Sequence, residues 1–189
     1  MKIIKKISAF LLVLIAVIFV VSLFFDRKIE TNKSIFINAP AATVFTQLNE
    51  LKNWPNWMPW HRKDPNTKYT YEIPSSGLNA SYRWESENKE VGKGTVKISE
   101  VVADKHLVTE VNFMENGVSY GIFDLVPEPS GTKVTWTFKS DMGYNPLGRL
   151  FGSYIKSMIA QDYEAGLKNL KSFVETSSAT TPADTVSIQ

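Results

Sequence analysis

The residues best suited to proton transfer are His61, Tyr82 and Asp162. His61 opens the run His61-Arg62-Lys63-Asp64, so an imidazole base has a carboxylate close by to orient it. A lone His-x-x-Asp carries little specificity, and a solvated loop is the favoured reading of this run. The other histidine, His106, belongs to a separate strand and faces away from Leu107 and Val111, so no third ligand completes a metal site. Tyr82 offers a phenol on a strand face shared with Ala80 and Trp84. Asp162 falls on an apolar helix face, where burial would raise a carboxyl pKa and suit it to acid–base work. A buried acceptor for a tyrosine, tryptophan or backbone donor is the favoured reading of Asp162. The chain has no cysteine, which removes disulfides, thiolate zinc sites and a cysteine nucleophile. Ser/His/Asp order, HExxH, P-loop and GxGxxG contexts are missing as well, so neither a metal nor a cofactor is expected.

The element that must carry Asp162 is the longest periodic segment of the chain. Apolar residues fall at Leu147, Leu150, Phe151, Tyr154, Ile155, Met158, Ile159, Tyr163, Leu167, Leu170, Phe173 and Val174. Three-and-four spacing sustained over about eight turns predicts one amphipathic helix from Pro146 to Glu175. Pro146 suits the first turn, where its missing N–H has no intrahelical partner to lose. Ser153, Ser157, Gln161, Glu164, Lys168 and Lys171 form the opposite face, with Glu164 and Lys168 as an i,i+4 pair. At about 100° per residue, Asp162 and Gly166 both point along the apolar face. Glycine costs a helix interior about 1 kcal/mol relative to alanine. Its presence here implies close backbone approach beneath, as the carboxylate implies a partner.

The segments before this helix have the period of strands. Ile29 to Asn38 alternates and ends at Ala39-Pro40. Pro40 to Leu48 reads as a short helix, and LKNWPNWMPWHRKDP as a compact aromatic connection broken by Pro55 and Pro59. Six further strands follow: YTYEI from Tyr69, NASYRWES, Gly92–Val102, His106–Met114, Val118–Val126 and Lys133–Lys139. They are joined by turn signals at Pro74-Ser75-Ser76-Gly77, Glu115-Asn116-Gly117 and Pro127-Glu128-Pro129-Ser130-Gly131. The fold class is therefore α+β: a bent antiparallel sheet of about seven strands wrapped on a long C-terminal helix. Such a sheet encloses more volume than one helix fills, so a pocket is expected between them. Residues 176–189 are small, polar and aperiodic, and read as a disordered tail.

Ile7 to Phe25 is an uncharged apolar run, too long for a signal-peptide core and poorly followed for cleavage. It predicts an uncleaved transmembrane helix, making residues 1–28 a membrane anchor and 29–175 the domain. Lys2, Lys5 and Lys6 precede it, against Arg27 and Lys28 offset by Asp26. This bias places the N-terminus in the cytoplasm and the domain in the periplasm or otherwise outside the cytoplasm. The chain's net charge of +2 belongs to these flanks, because residues 29–189 carry 16 basic and 18 acidic side chains. A slightly acidic domain lacks the footprint of a nucleic-acid binder.

The segments IFINAPAATVFTQLNELKNWPNWMPW (Ile35 to Trp60), DPNTKYTYE (Asp64 to Glu72), ASYRWES (Ala80 to Ser86), VGKGTVKISE (Val91 to Glu100), GTKVTWTF (Gly131 to Phe138) and DYEAGLKNLKSFVE (Asp162 to Glu175) carry a resemblance. Together they resemble the SRPBCC superfamily, also called START-like or helix-grip proteins. Within it they are most similar to the polyketide cyclase/dehydrase and lipid transport branch, in its membrane-anchored bacterial form. The resemblance covers residues 29–175 together with the anchor, and it is specific for fold. For activity it is weak, because the superfamily spans hydrolases, cyclases, lipid carriers and co-chaperone-like modules. It implies a hydrophobic pocket under the last helix and supplies no invariant catalytic set.

The side chains expected to line that pocket are Trp57, Trp60, Tyr82, Trp84, Trp136, Phe151, Ile155, Met158, Ile159 and Asp162. Trp54, Trp57 and Trp60 recur every third residue, and packing at one end of the sheet is favoured for them over a lid facing a membrane. The favoured function is binding of a hydrophobic small molecule or lipid. One rival is a cyclase/dehydratase-like enzyme using His61, Tyr82 or Asp162. The other is a co-chaperone-like interaction module acting through the outer sheet face. A carrier has an apolar cavity with few polar groups, an enzyme has converging titratable groups, and an interaction module has a filled core and an exposed apolar patch. Topology is tested by protease digestion of intact spheroplasts, where residues 29–175 should be cleaved. Protection in sealed cells would reverse the orientation, and a mature N-terminus near Asp26 would make the apolar run a signal peptide.

Overall fold

The computed structural model describes residues 2–114 and 117–179. Alternating apolar and polar side chains make strands of Lys28–Ile37 (β1), Lys68–Tyr71 (β2), Ser81–Glu85 (β3), Lys93–Val102 (β4), His106–Asn112 (β5), Val118–Glu128 (β6) and Gly131–Asp141 (β7). They form one antiparallel sheet in the order β1-β7-β6-β5-β4-β3-β2, so the first strand returns to pair with the last. Period two sends Leu107, Phe123 and Trp136 to one face, in register on neighbouring strands, and all three are buried. Asp124 therefore faces outward, where its Oδ1 lies 2.7 Å from His106 Nδ1. Gly94 sits opposite Trp84 in the register, and any Cβ there would meet Trp84 Cη2 at 2.3 Å. Glycine is what lets the indole lie flat across β4. Within the expected turn at Glu115-Asn116-Gly117, the first two residues lie outside the described ones. Gly117 has φ +87°, and its carbonyl accepts from Phe113 N–H at 3.1 Å.

Three short helical pieces cross the inner face between β1 and β2: Ala41–Asn49 (α2), a 3₁₀ turn at Leu51–Asn56, and Pro59–Lys63 (α3). Pro40 stands just before α2, and Pro59 opens α3, where no N–H is needed. Trp54 is fixed by its indole N–H, which donates to Leu48 O at 2.9 Å.

The C-terminal helix departs from the expected single span. It divides into Pro146–Leu150 (α4) and Gly152–Ala179 (α5). Asn145 caps α4 through its side chain, accepting from Leu147 N–H and Gly148 N–H, and Phe151 breaks helical geometry at φ −89°, ψ 2°. Four residues of the expected tail, 176–179, belong to α5, and residues 180–189 lie outside the described ones. The stripe is not buried along its whole length either. Ile159, Tyr163, Leu167, Leu170 and Val174 are buried, while Leu147, Phe151, Tyr154 and Met158 are exposed. The reason is where the helix meets the sheet. Gly152 approaches Ile29, one residue into β1, so α4 and Phe151 project beyond the strand. There they lie beside Lys2–Ser22 (α1), a helix long and apolar enough to cross a membrane.

Farther along, α5 is pinned to β1. Glu164 bonds Lys168 at 2.7 Å and Lys33 at 3.0 Å. These bonds lower its carboxyl to about 2, so the bridges persist from neutral pH until the pH falls toward that value. Gly166 faces the sheet: a Cβ there would meet Trp136 Cζ3 at 2.9 Å and Pro59 Cδ at 3.2 Å. Gly166→Leu should overpack this contact and destabilise the domain by about 1–3 kcal/mol or more, read as a lowered melting temperature. A variant melting at or above the wild type would show that the contact has slack.

Candidate ligand cleft

The space between sheet and α5 is organised by Trp136 on β7. Tyr163 of α5 stacks on it at 3.7 Å between centroids and 12° between planes. Phe123 of β6 stacks at 4.7 Å. Trp57 and Trp60, from the connection, approach edge-on at 5.8 and 6.1 Å. Trp54 continues the cluster to Tyr82, and Tyr82 continues it to Trp84, Tyr69 and Tyr71. These rings fill most of the interior, and Trp57 is fully buried. Its rim is less closed. Trp60, Val111, Phe113, Met142 and Ile155 pack against the core but stay partly exposed.

Polar groups in this interior fall into two kinds. Some are matched. Asp162 is paired with Lys63 of α3, Nζ to Oδ1 at 2.8 Å and to Oδ2 at 3.0 Å. Thr109 Oγ1 donates to Gly121 O at 3.1 Å, and Ser119 Oγ to Ser140 Oγ at 2.9 Å. Others have no partner among the described residues: Trp57 Nε1, Trp136 Nε1 and His61 Nδ1 are buried without one. Burial pushes the Tyr163 phenol up, partly offset by the neighbouring Trp136 indole. That contact falls short of a formed hydrogen bond, so the indole N–H stays unpaired. Tyr82 is raised by the same desolvation, with Tyr69 and Tyr71 adding to it, which makes its phenol a weaker acid than usual.

Several solved structures share this fold. One is a Staphylococcus aureus protein of unknown function, SA2116, at 11% identity and TM-score 0.62, covering 80% of this chain and 96% of that one. A second is the di-domain ARO/CYC StfQ of the steffimycin biosynthetic pathway, at 12% identity and TM-score 0.63, covering 80% and 52%. A third is the Aha1 dimer of Colwellia psychrerythraea, at 15% identity and TM-score 0.55, covering 78% and 96%. At these identities the likeness concerns the fold. No curated protein matches the chain. The family model described as polyketide cyclase/dehydrase and lipid transport matches residues 28–175. The chain belongs to that family.

Within this polyketide cyclase/dehydrase and lipid transport domain, the expected residues divide by position. Trp57, Trp136, Tyr82, Trp84 and Ile159 are buried in one interior, with Trp60 and Ile155 at its rim. Phe151 and Met158 point to solvent, because the start of α5 meets β1 with one flank only. The three candidates for proton transfer do not join. His61 lies against Tyr69, at 5.8 Å between rings, and Asp162 is held by Lys63. Asp64 turns to Ser86 Oγ and Asn66 N–H, which lower its carboxyl, with a smaller contribution from the nearby His61, and it makes no hydrogen bond to His61 Nδ1. Sequence reasoning missed Lys63, which it left in a solvated loop, and Tyr163 and Phe123, which it counted only as apolar. The signal for Lys63 was present: a carboxylate on an apolar helix face calls for a cation.

The pairing is testable by a double-mutant cycle. Lys63→Met should cost about 1–3 kcal/mol in chemical denaturation by leaving a mostly buried carboxylate alone. Adding Asp162→Asn should recover part of that loss. Additive effects, within about 0.3–0.5 kcal/mol, would show that the two do not interact.

Proposed function

We propose that this family member is a membrane-anchored binding protein for a hydrophobic small molecule or a lipid. On this reading α1 is the single membrane span, its N-terminus is cytoplasmic, and residues 29–175 act outside the cytoplasm. The ligand lies between the N-terminal half of α5 and strands β5 to β7. The observation that carries the reading is the pair of buried indole N–H groups on Trp57 and Trp136. A buried donor left without an acceptor costs about 1–3 kcal/mol, and such groups call for a partner. In an apolar interior with a partly open rim, a ligand with an apolar body and one oxygen acceptor supplies it.

The small inward residues Ser119 and Ser140, in register with Val111 and Ile29, support a site at this end. They leave more room than the tryptophan row farther along the same strands. An enzyme would need two titratable groups within hydrogen-bond reach inside the cleft, and His61, Tyr82 and Asp162 form no such pair.

Binding should follow cleft volume rather than any one charge. Titration of an apolar fluorescent probe into the full chain is expected to saturate at micromolar concentrations. Ile155→Trp, filling the cleft from the helix side, should abolish the signal with the fold intact. Asp162→Asn should weaken it by less than about tenfold. Loss of a turnover in Asp162→Asn with binding preserved would establish the enzyme instead. Failure of every apolar probe on the wild type would sink the carrier and promote the interaction module.

A further inference from the structure

We propose that the elbow between α1 and α5 is a phosphate-binding site, placed where a phospholipid headgroup would present its phosphate. A cavity of about 230 Å³ lies in this elbow, with Arg149 in its wall. Arg149 is only 8% exposed. Its Nε donates to Gly143 O at 3.0 Å, and the guanidinium carbon lies 5.9 Å from the Tyr144 ring centroid. Neither partner is an anion. Among the described residues no carboxylate pairs with it, because Asp141 is held by Arg27 at 2.7 Å and Glu30 by Lys139 at 3.5 Å. A buried guanidinium without a counter-ion is unfavourable unless one is supplied.

The surroundings fit a tetrahedral oxyanion. Lys28 and Lys156 line the same cavity, and Ser153 adds a hydroxyl. Asp26 and Glu30 also line it, but Glu30 is already engaged, so three cations face one uncommitted carboxylate. The planar guanidinium fork matches phosphate oxygens two at a time, and the ammonium groups add charge from flexible stems. The depth is right as well. Phe25, the last residue of the uncharged run, lines the cavity, so the site begins where a bilayer's hydrocarbon ends. Tyr144, Leu147, Phe151 and Tyr154 are exposed around it, the mixture of aromatic and apolar side chains that suits a membrane interface. Arg27 O accepts from Met142 N–H at 2.9 Å, which extends the β1–β7 ladder into the elbow. The headgroup source rests on reading α1 as a membrane span. The phosphate chemistry rests on the cavity alone and is independent of the cleft.

The test titrates the full chain, in non-ionic detergent, with dihexanoylphosphatidylglycerol and separately with inorganic phosphate. Saturable lipid binding is expected, weakened by about tenfold or more in Arg149→Gln and in Lys28→Gln/Lys156→Gln. Both lysines are exposed, so the double variant remains informative if Arg149→Gln does not fold. Tight lipid binding with weak inorganic phosphate binding assigns the site to a headgroup. Equal affinity for both assigns a general phosphate site. No binding of either, or neutralised variants that bind like the wild type, overturns the proposal. Probe binding at the cleft is followed in the same samples: its failure with lipid binding intact removes the cleft reading and leaves this one standing.

Discussion

The stacking of Tyr163 on Trp136 is the contact on which the rest of the domain depends. Through that one indole, α5 meets β7, β7 meets β6 at Phe123, and both meet the connection at Trp57 and Trp60. Each aromatic pair contributes about 0.5–1.5 kcal/mol beyond the area it buries, and here the pairs share a centre. Such closeness needs room on the helix side. Gly166 provides it, one turn along from Tyr163, by presenting no side chain to the indole edge. The loss of helix propensity at Gly166 is thus offset by the approach it permits.

From this centre the interior opens in one direction. Along β6 and β7 the inward positions run from Phe123 and Trp136, through Gly121 and Phe138, to Ser119 and Ser140. Along α5 burial declines the same way, from Tyr163 and Ile159 to a partly exposed Ile155 and exposed Met158 and Phe151. The inward side chains shorten and the helix loses its cover over the same stretch. Asp162 and Lys63 mark the border between the two regimes. Their ion pair ties α5 to α3 where ring packing gives way to the rim.

The strands were legible because each has a clean period of two and ends in turn residues, whereas the return of β1 to pair with β7 was not, because periodicity is silent on which strands meet. Gly166 and Asp162 were legible as exceptions: a residue that breaks a pattern at a cost signals a compensating contact. The helix break at Phe151 was not legible, because Leu147, Leu150 and Phe151 continue the spacing of the stripe. Periodicity reports which side chains share a face and is silent on where the neighbouring strand begins. Asp162 called for a cation, but which one was hidden for a similar reason. A basic run looks solvated until the fold brings a buried carboxylate to it. Arg149 carried no signal, since one arginine in an apolar stripe reads as a polar interruption. Its burial depends on the Gly143 carbonyl and the Tyr144 ring folding back on it, contacts that no stripe pattern announces.

The position of α1 bears on how a ligand would reach the cleft. Ser140, a small residue of the inner face, pairs with Ile29, seven residues beyond the end of α1. The small-residue end of the inner face and the attachment of the apolar helix are therefore the same end. With α1 as a membrane span, the rim would stand at the bilayer surface, flanked by Tyr144, Leu147, Phe151 and Tyr154. A lipid tail exposing about 300 Å² would cost about 7.5 kcal/mol to carry through water, at roughly 25 cal/mol per Å². A rim held against the bilayer lets the tail pass from one apolar phase to the other without that exposure. A fixed elbow then serves better than a flexible tether, because separation of rim and bilayer by even a few water layers restores most of the barrier.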